Sequence, residues 1–398
     1  MADQQNTGGV TMPSKPPPWN DPVVRSIVFQ IVALILLAWF FWTIFQNTLT
    51  NMETRGISTG FAFLNREAGF GILMSLIEYD ESHTYGRTFV VGLLNTILVS
   101  VLGIIIATIL GFVMGVARLS DNWIVARLAS IYVETLRNIP LLLQLFFWYT
   151  AVLQALPGPR SSLKLSENIY LNNRGLNIPK PIFQDGFEFV WIALLVAIAG
   201  IFVLLRWATK RLDETGHTFP VFWTSVGLFI GLPLLVFLIM GLPLNFEVAR
   251  ATRFSLSGGA NLIPEFIALL IGLSTYTAAF IAEIVRAGIL AVSHGQTEAA
   301  RSLGLRHGQT LQLIVIPQAM RVIIPPLTSQ YLNLTKNSSL AAAIAYPDLV
   351  SVFAGTTLNQ AGQALEIIGM VMAVYLSLSL GISFLMNLYN KKMALVER

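Results

Sequence analysis

The chain has no cysteine among its 398 residues. Disulfide staples, thiolate metal centres and a cysteine nucleophile are thereby excluded, and the redox compartment stays undetermined. Charge is scarce too: Asp, Glu, Lys and Arg make up 12% of the chain, against 55% hydrophobic residues, where a water-soluble domain carries about 25% charge. That balance excludes an aqueous globular protein and points to a membrane protein. The dipeptide Gly-Lys occurs nowhere, so a phosphate-cradling P-loop of the form GxxxxGK[ST], and with it an ATPase site of that kind, is missing. HExxH and GxSxG are missing as well, and His83, His217, His294 and His307 are too scattered to suggest a metal site. No catalytic residue, metal or bound cofactor is expected of this chain. The opening stretch MADQQNTGGVTMPSKPPPWN lacks the basic, apolar and small-residue order of a cleaved signal peptide, and 1–26 is read as a flexible tail. The formal net charge of +4 does not imply a nucleic-acid partner, because the basic residues are spread singly and form no dense stripe.

What is present is a series of apolar runs. A helix needs about 20 such residues to cross a hydrocarbon layer about 30 Å thick, and eight runs qualify: 27–45, 88–117, 139–156, 189–207, 221–242, 263–289, 322–344 and 367–388. The expectation is an all-α integral membrane protein with about eight transmembrane helices and both termini on one side. Lys and Arg are denser in the loops on that side than in the longer opposite loops, so the positive-inside rule places both termini in the cytoplasm. The acidic loop 65–87 and the turn-rich segment 157–187 then lie outside.

On the cytoplasmic side stands one polar segment, SHGQTEAARSLGLRHGQTLQLIVIPQ, at 293–318. Ser293 and Gln296 have the spacing of a capping box, which predicts a helix start. Gly304 is placed to end that helix in the left-handed conformation. A second short helix is predicted over 307–316, with Leu311, Ile314 and Val315 on one side, stopped by Pro317.

Elsewhere, ionisable residues fall in or beside the spans, where exposure to lipid is costly and a partner is expected. Glu134 with Arg137, and Glu283 with Arg286, are spaced i, i+3 and predict two ion pairs on single helix faces. Gln330, Asn333, Lys336 and Asn337 form a polar stripe on the seventh run, suited either to the wall of an aqueous route or to an interface between two membrane subunits. Gly111 with Gly115, and Gly227 with Gly231, have GxxxG spacing, a pattern frequent by chance in apolar sequence.

The spacing of Glu298, Ala299, Ala300, Gly304, Ile314, Ile316 and Pro317 resembles the EAA signature of ABC importer permeases, E-A-A-x3-G-x9-I-x-L-P, with Ile316 where the pattern has leucine. YVETLRNIPLLLQLFFWY, STYTAAFIAEIVRAGILAVSHGQ and NLTKNSSLAAAI look like successive segments of the polar amino-acid uptake permeases, in the same order. Two extra spans depart from the usual five-span members. With them the chain most resembles the general L-amino acid permeases of Gram-negative bacteria.

This resemblance implies a type I ABC importer transmembrane domain over 88–398, preceded by a first transmembrane helix at 27–47. Residues 157–259 would be an insertion with two extra spans, and 293–318 the loop that couples to the ATPase through the seven motif residues. It implies ABC ATPase subunits that hold ATP and Mg, a second homologous permease in a heterodimer, a periplasmic amino-acid-binding protein, and a lipid environment in the bacterial inner membrane. The cargo implied is L-amino acids, broadly polar or acidic, such as glutamate, glutamine, aspartate and asparagine. The alternative is a secondary amino-acid transporter driven by an ion gradient, which discontinuous helices near Pro140 and a buried Lys336 would allow.

Overall fold

Inside a bilayer every backbone N–H and C=O must find a partner within the protein, and a run of apolar residues does this by coiling into a helix. The computed structural model describes residues 19, 21–54, 56, 59–251 and 256–393; residues 1–18 of the expected tail lie outside them. Helix α1 (Pro22–Thr54) begins before and ends after the expected 27–47, and buries only Met52. A short 3₁₀ turn at Ala62–Asn65 leads through the 65–84 loop to α2 (Tyr85–Ala117), whose first turn is capped by the Thr84 hydroxyl accepting from the Arg87 amide. At 33 residues, α2 is about 50 Å long.

The third run, expected as a span over 139–156, is helical only over 141–153 and is the second limb of a broken helix. Helix α3 (Trp123–Asn138), capped by Asn122, is followed by α4 (Leu141–Phe146), which continues as a π turn over Phe147–Leu153. The two pieces are bent by 107°. Pro140 lies at the break and has no N–H to continue the ladder. The Gln144 side chain repairs the gap, its Nε2 donating to the carbonyls of Leu136 (2.9 Å) and Ile139 (3.0 Å). Among the described residues, seven helices are long and apolar enough to cross a membrane, and an eighth is counted if the bent pair is one span.

The insertion carries α5 (Phe187–Thr215) and α6 (Val221–Ile239). Helix α6 buries none of its residues, and α5 only Ala193, Ala197 and Ala208. Around this helical pair the 157–187 segment, read from sequence as a turn-rich loop, folds as strands. These are β1 (Leu163–Ser166), β2 (Ile169–Asn172), β3 (Gly175–Ile178) and β4 (Lys180–Phe183), and after α6 come β5 (Leu244–Glu247), β6 (Arg250–Ala251), β7 (Leu256–Ser257) and β8 (Ala260–Leu262). The order β1-β2-β3-β8 forms one sheet, while β4-β5 and β6-β7 are two-stranded ribbons. Antiparallel pairing of Leu176 with Leu262 joins the start of the insertion to its end. Sequence pattern misses this sheet because β8 becomes a neighbour of β3 only once α5 and α6 have folded back between them.

After β8 come α7 (Pro264–Leu290), α8 (His294–Ser302) and α9 (His307–Thr310). A π turn at Leu311–Val315 leads into α10 (Ile316–Asn337), then a 3₁₀ segment at Ser338–Ile344, a π turn at Val350–Thr357, α11 (Leu358–Ala361) and α12 (Ala364–Met393).

The core is built on α7. Helices in lipid gain little from apolar burial against one another, so close packing over small residues has to hold them. A Cβ on Gly111 would lie 2.6 Å from Ile281, and one on Gly115 would lie 2.7 Å from the Ala282 carbonyl oxygen. Gly272 on α7 likewise receives Leu145, and Gly288 receives Ile323 of α10. Ala278, Ile281 and Ala282 are fully buried in consequence. The other GxxxG pair is idle: nothing lies within 4 Å of a Cβ on Gly227 or Gly231. Replacing Gly115 by leucine forces α2 away from backbone as well as side chain, an overpacking cost of about 1–3 kcal/mol. Thermal unfolding of the purified protein should shift down by several degrees in Gly115→Leu and stay unchanged in Gly227→Leu.

Candidate functional site

The motif segment leaves the helical bundle at the end of α7 and returns as α10. The Ser293–Gln296 capping box is not formed. The Ser293 side chain caps nothing, and the Gln296 amide donates to the Ser293 carbonyl at 3.0 Å. A side-chain closure of this kind occurs at the second helix instead, where the Arg306 amide donates to Gln309 Oε1 at 3.0 Å. Between the two, Gly304 sits at φ +78°. The Gly304 amide donates to the Arg301 carbonyl and the Leu305 amide to the Ala300 carbonyl, the wrapped-over bond that closes a helix with a left-handed residue. Space is open around Gly304, so the requirement for glycine there is conformational.

The sequence pattern predicts that Pro317 stops the second helix, and it does not. The chain stays helical from His307 to Ile344, because the π turn at Leu311–Val315 widens the helix just ahead of the proline. Pro317 then falls in the first turn of α10, where its missing N–H costs least. The second half of the motif is thus a rigid extension of α10.

Within this elbow Ala300 is buried, while Glu298, Ala299 and Gly304 are exposed, and Ile314 and Pro317 are half-buried. The Glu298 carboxylate lies 3.1 Å from His294 Nδ1. The apolar side chains that project furthest outward are Leu303 at 81% exposure, Leu313 at 62% and Ile316 at 52%. Sequence reasoning passed over Leu303 and Leu313. An apolar residue beside a glycine cap is usually turned toward its own helix, and only the folded elbow shows Leu303 pointing out.

The polar stripe lies on one side of α10. Asn333 and Lys336 are exposed, while Gln330 and Asn337 are half-buried; the buried Lys336 expected from the sequence is thus not found within this chain, whereas the discontinuous helix near Pro140 is. Among the described residues, none of the four side chains is held by a hydrogen bond or ion pair. Lys336 lines a groove of about 550 Å³ together with Ser339, Tyr375, Ser379, Val371 and Met372. Behind the groove, the chain between α10 and α12 is fastened to α2 by buried polar groups. Asn95 Nδ2 donates to the carbonyls of Met74 and Pro347, both at 2.9 Å, the Tyr346 hydroxyl donates to the Asn95 carbonyl at 3.1 Å, and the Leu349 amide donates to Thr96 Oγ1 at 3.0 Å. Ala345 adopts φ +60° to make this turn, and a Cβ on Gly92 would meet Leu349 Cα at 2.9 Å.

The intramembrane charges pair differently from the sequence expectation. Arg286 Nη2 lies 2.6 Å from Glu283, as i, i+3 spacing predicts. Glu134 is exposed and makes no ion pair among the described residues, so the expected Glu134–Arg137 pair is absent. Arg137 turns instead to Glu283 of α7, at 3.9 Å. Arg118, counted in the sequence as a loop charge, caps α2 and also bonds Glu283. Among the described residues, no three His, Asp or Glu side chains come together to hold a metal ion.

Residues 190–395 match the family of binding-protein-dependent transport system inner membrane components, and the chain belongs to that family. It is 54% identical to the general L-amino acid transport system permease protein AapQ of Rhizobium johnstonii, over 95% of this chain and 94% of that protein. It is 44% identical to the glutamate/glutamine/aspartate/asparagine transport system permease protein BztB of Rhodobacter capsulatus, over 95% and 96%. A solved structure described as an amino acid ABC transporter with histidines covers 77% of this chain and 95% of its own, at a TM-score of 0.46 and 21% identity.

Removing the Asn95 amide strands the Pro347 and Met74 carbonyls, and an unsatisfied buried polar group costs about 1–3 kcal/mol. Asn95→Leu should lower the thermal midpoint, and limited proteolysis should cut first between Ala345 and Val350.

Proposed function

We propose that the chain is one of two related permease subunits of an importer that moves L-amino acids, broadly the polar and acidic ones, into the cell by alternating access, driven by ATP hydrolysis on a separate subunit. The observation that carries this reading is the 293–318 elbow. It turns apolar side chains outward at Leu303, Leu313 and Ile316, its first arm follows α7 after a short turn, and its second arm runs on into α10. Outward apolar side chains on short helices beside a glycine turn suit the helix-in-groove mode, in which a helix lays its apolar face into a hydrophobic groove of a partner protein. The partner is the ATPase, which supplies the nucleotide and Mg site that this chain lacks. Closure of the ATPases on ATP pushes the elbow, and α7 and α10 tilt as the equilibrium shifts between outward-open and inward-open states.

On this reading both termini and the elbow are cytoplasmic, in accord with the denser Lys and Arg on that side. The insertion sheet stands outside, within reach of a binding protein that delivers the cargo. Gln330, Asn333, Lys336 and Asn337 line the route. Lys336 supplies the single positive charge of the groove, suited to a carboxylate-bearing cargo. The apolar outer faces of α1, α5 and α6 are covered by lipid. The names of AapQ and BztB support an amino-acid cargo and its breadth.

Proteoliposomes with the assembled complex, ATP inside and the binding protein outside, test this reading with labelled glutamate, glutamine and arginine. Uptake should require ATP. Gly304→Val forces a β-branched residue into the left-handed region, and Leu303→Ser removes an apolar anchor; each should lower uptake at least tenfold with normal membrane insertion. Uptake that ignores ATP and follows an imposed ion gradient would overturn the proposal.

A further inference from the structure

The Glu283 carboxylate is the meeting point of three guanidinium groups that arrive from three helices. Arg118 comes from the C-cap of α2, Arg137 from the last turn of α3, and Arg286 from α7 itself. Each of the first two cations also sits where the carbonyl end of its helix favours positive charge. Arg137 is held a second time, its guanidinium lying 5.2 Å from the Phe280 ring centroid, one turn back on α7. Higher on the same pair of helices, the Tyr132 hydroxyl donates to the Thr275 carbonyl at 2.8 Å. Three residues beyond Arg137 is Pro140, at the 107° break. On the far side of that break Leu145 packs into Gly272, and the Tyr149 hydroxyl donates to Glu265 at 2.9 Å. Both limbs of the broken span therefore lie along α7, and Arg137 marks the point where the chain turns back.

Glu283 is also placed close to the elbow. From it to Ser293 is ten residues along the chain, or about 15 Å if helical throughout. Any displacement delivered to the end of α7 passes Glu283 before it reaches the packed region around Gly272.

We infer that Glu283 is a positioning residue for coupling: a clasp that ties the end of α2 and the bend at Pro140 to α7, so that movement of the elbow carries all three elements as one body. This rests on the permease reading and adds a residue outside the elbow motif to it. Without the clasp, α7 moves while the bend stays behind, and ATP is hydrolysed without transport.

This chain has no cysteine, so with cysteine-free partner subunits a pair of cysteines placed in it takes spin labels without background. In the assembled complex, labels at Arg127→Cys on α3 and Leu290→Cys on α7 report the clasp by pulsed EPR, independently of any cargo. The distance distribution should be narrow with Glu283 and broaden in Glu283→Gln. In proteoliposomes Glu283→Gln should cut uptake at least tenfold and raise ATP hydrolysis in the absence of binding protein at least threefold. Glu283→Asp, shorter but still charged, should retain at least a third of the uptake. A space-filling role orders the two variants the other way, because glutamine is the closer fit in shape. Unchanged distances in Glu283→Gln, or uptake in Gln equal to or above that in Asp, would overturn the clasp. Loss of ATP dependence in the unsubstituted complex would instead strike at the permease reading, while the EPR result would still judge the clasp.

Discussion

The close crossing of α2 over α7 is the constraint on which the rest of the bundle depends. Gly111 and Gly115 let the α2 backbone approach to where Ile281, Ala282 and Val285 fill the space that side chains would have taken. Lipid is as apolar as leucine, so no hydrophobic drive separates helix from solvent here, and dispersion contact at short range does the holding. Because α2 takes one flank of α7 so tightly, α3, α4 and α10 find the remaining flanks, through Tyr132, Leu145 and Ile323. Helix α7 becomes a central rod with small residues on several sides.

That rod links the two ends of the molecule. One end begins directly after β8, which the sheet ties back to the start of the insertion. The other end runs past the Glu283 cluster into the exposed elbow. Rigid secondary elements of this kind pass displacement between distant sites, since packed cores resist gradual deformation. The insertion stands apart: α5 and α6 pack on each other and bury almost nothing elsewhere, so the core does not depend on them.

Particular residues show where the sequence was readable. Gly304 was legible, because a helix that must turn sharply needs a residue without a Cβ, and its φ of +78° is the local consequence. The spans were legible because twenty apolar residues have one outcome in lipid. Ser293 and Gln296 carry a capping box in spacing alone, while the amide that needed a cap was answered by the Ser293 backbone carbonyl. Pro317 has the chemistry of a helix stop, but a π turn beside it absorbed the missing bond. Pro140, with no such turn, broke its helix by 107°. Two prolines with the same local rule had different fates, and the surroundings made the difference.

The same holds for charge and for glycine. Helical spacing paired Glu283 with Arg286 correctly and Glu134 with Arg137 incorrectly, because the carboxylate on α7 lay closer to Arg137 than any along-helix rule could register. Gly111–Gly115 and Gly227–Gly231 are indistinguishable as strings, yet only the first pair has a helix against it. The sequence by itself determined the helical membrane class, the position of the elbow and the lack of a P-loop pattern, since these follow from composition and from short spacings along one chain. Which glycines are crossed, which arginines meet Glu283, and how β3 finds β8 were decided only by the tertiary structure. Each is a contact between residues far apart in sequence, and no local periodicity encodes the neighbour.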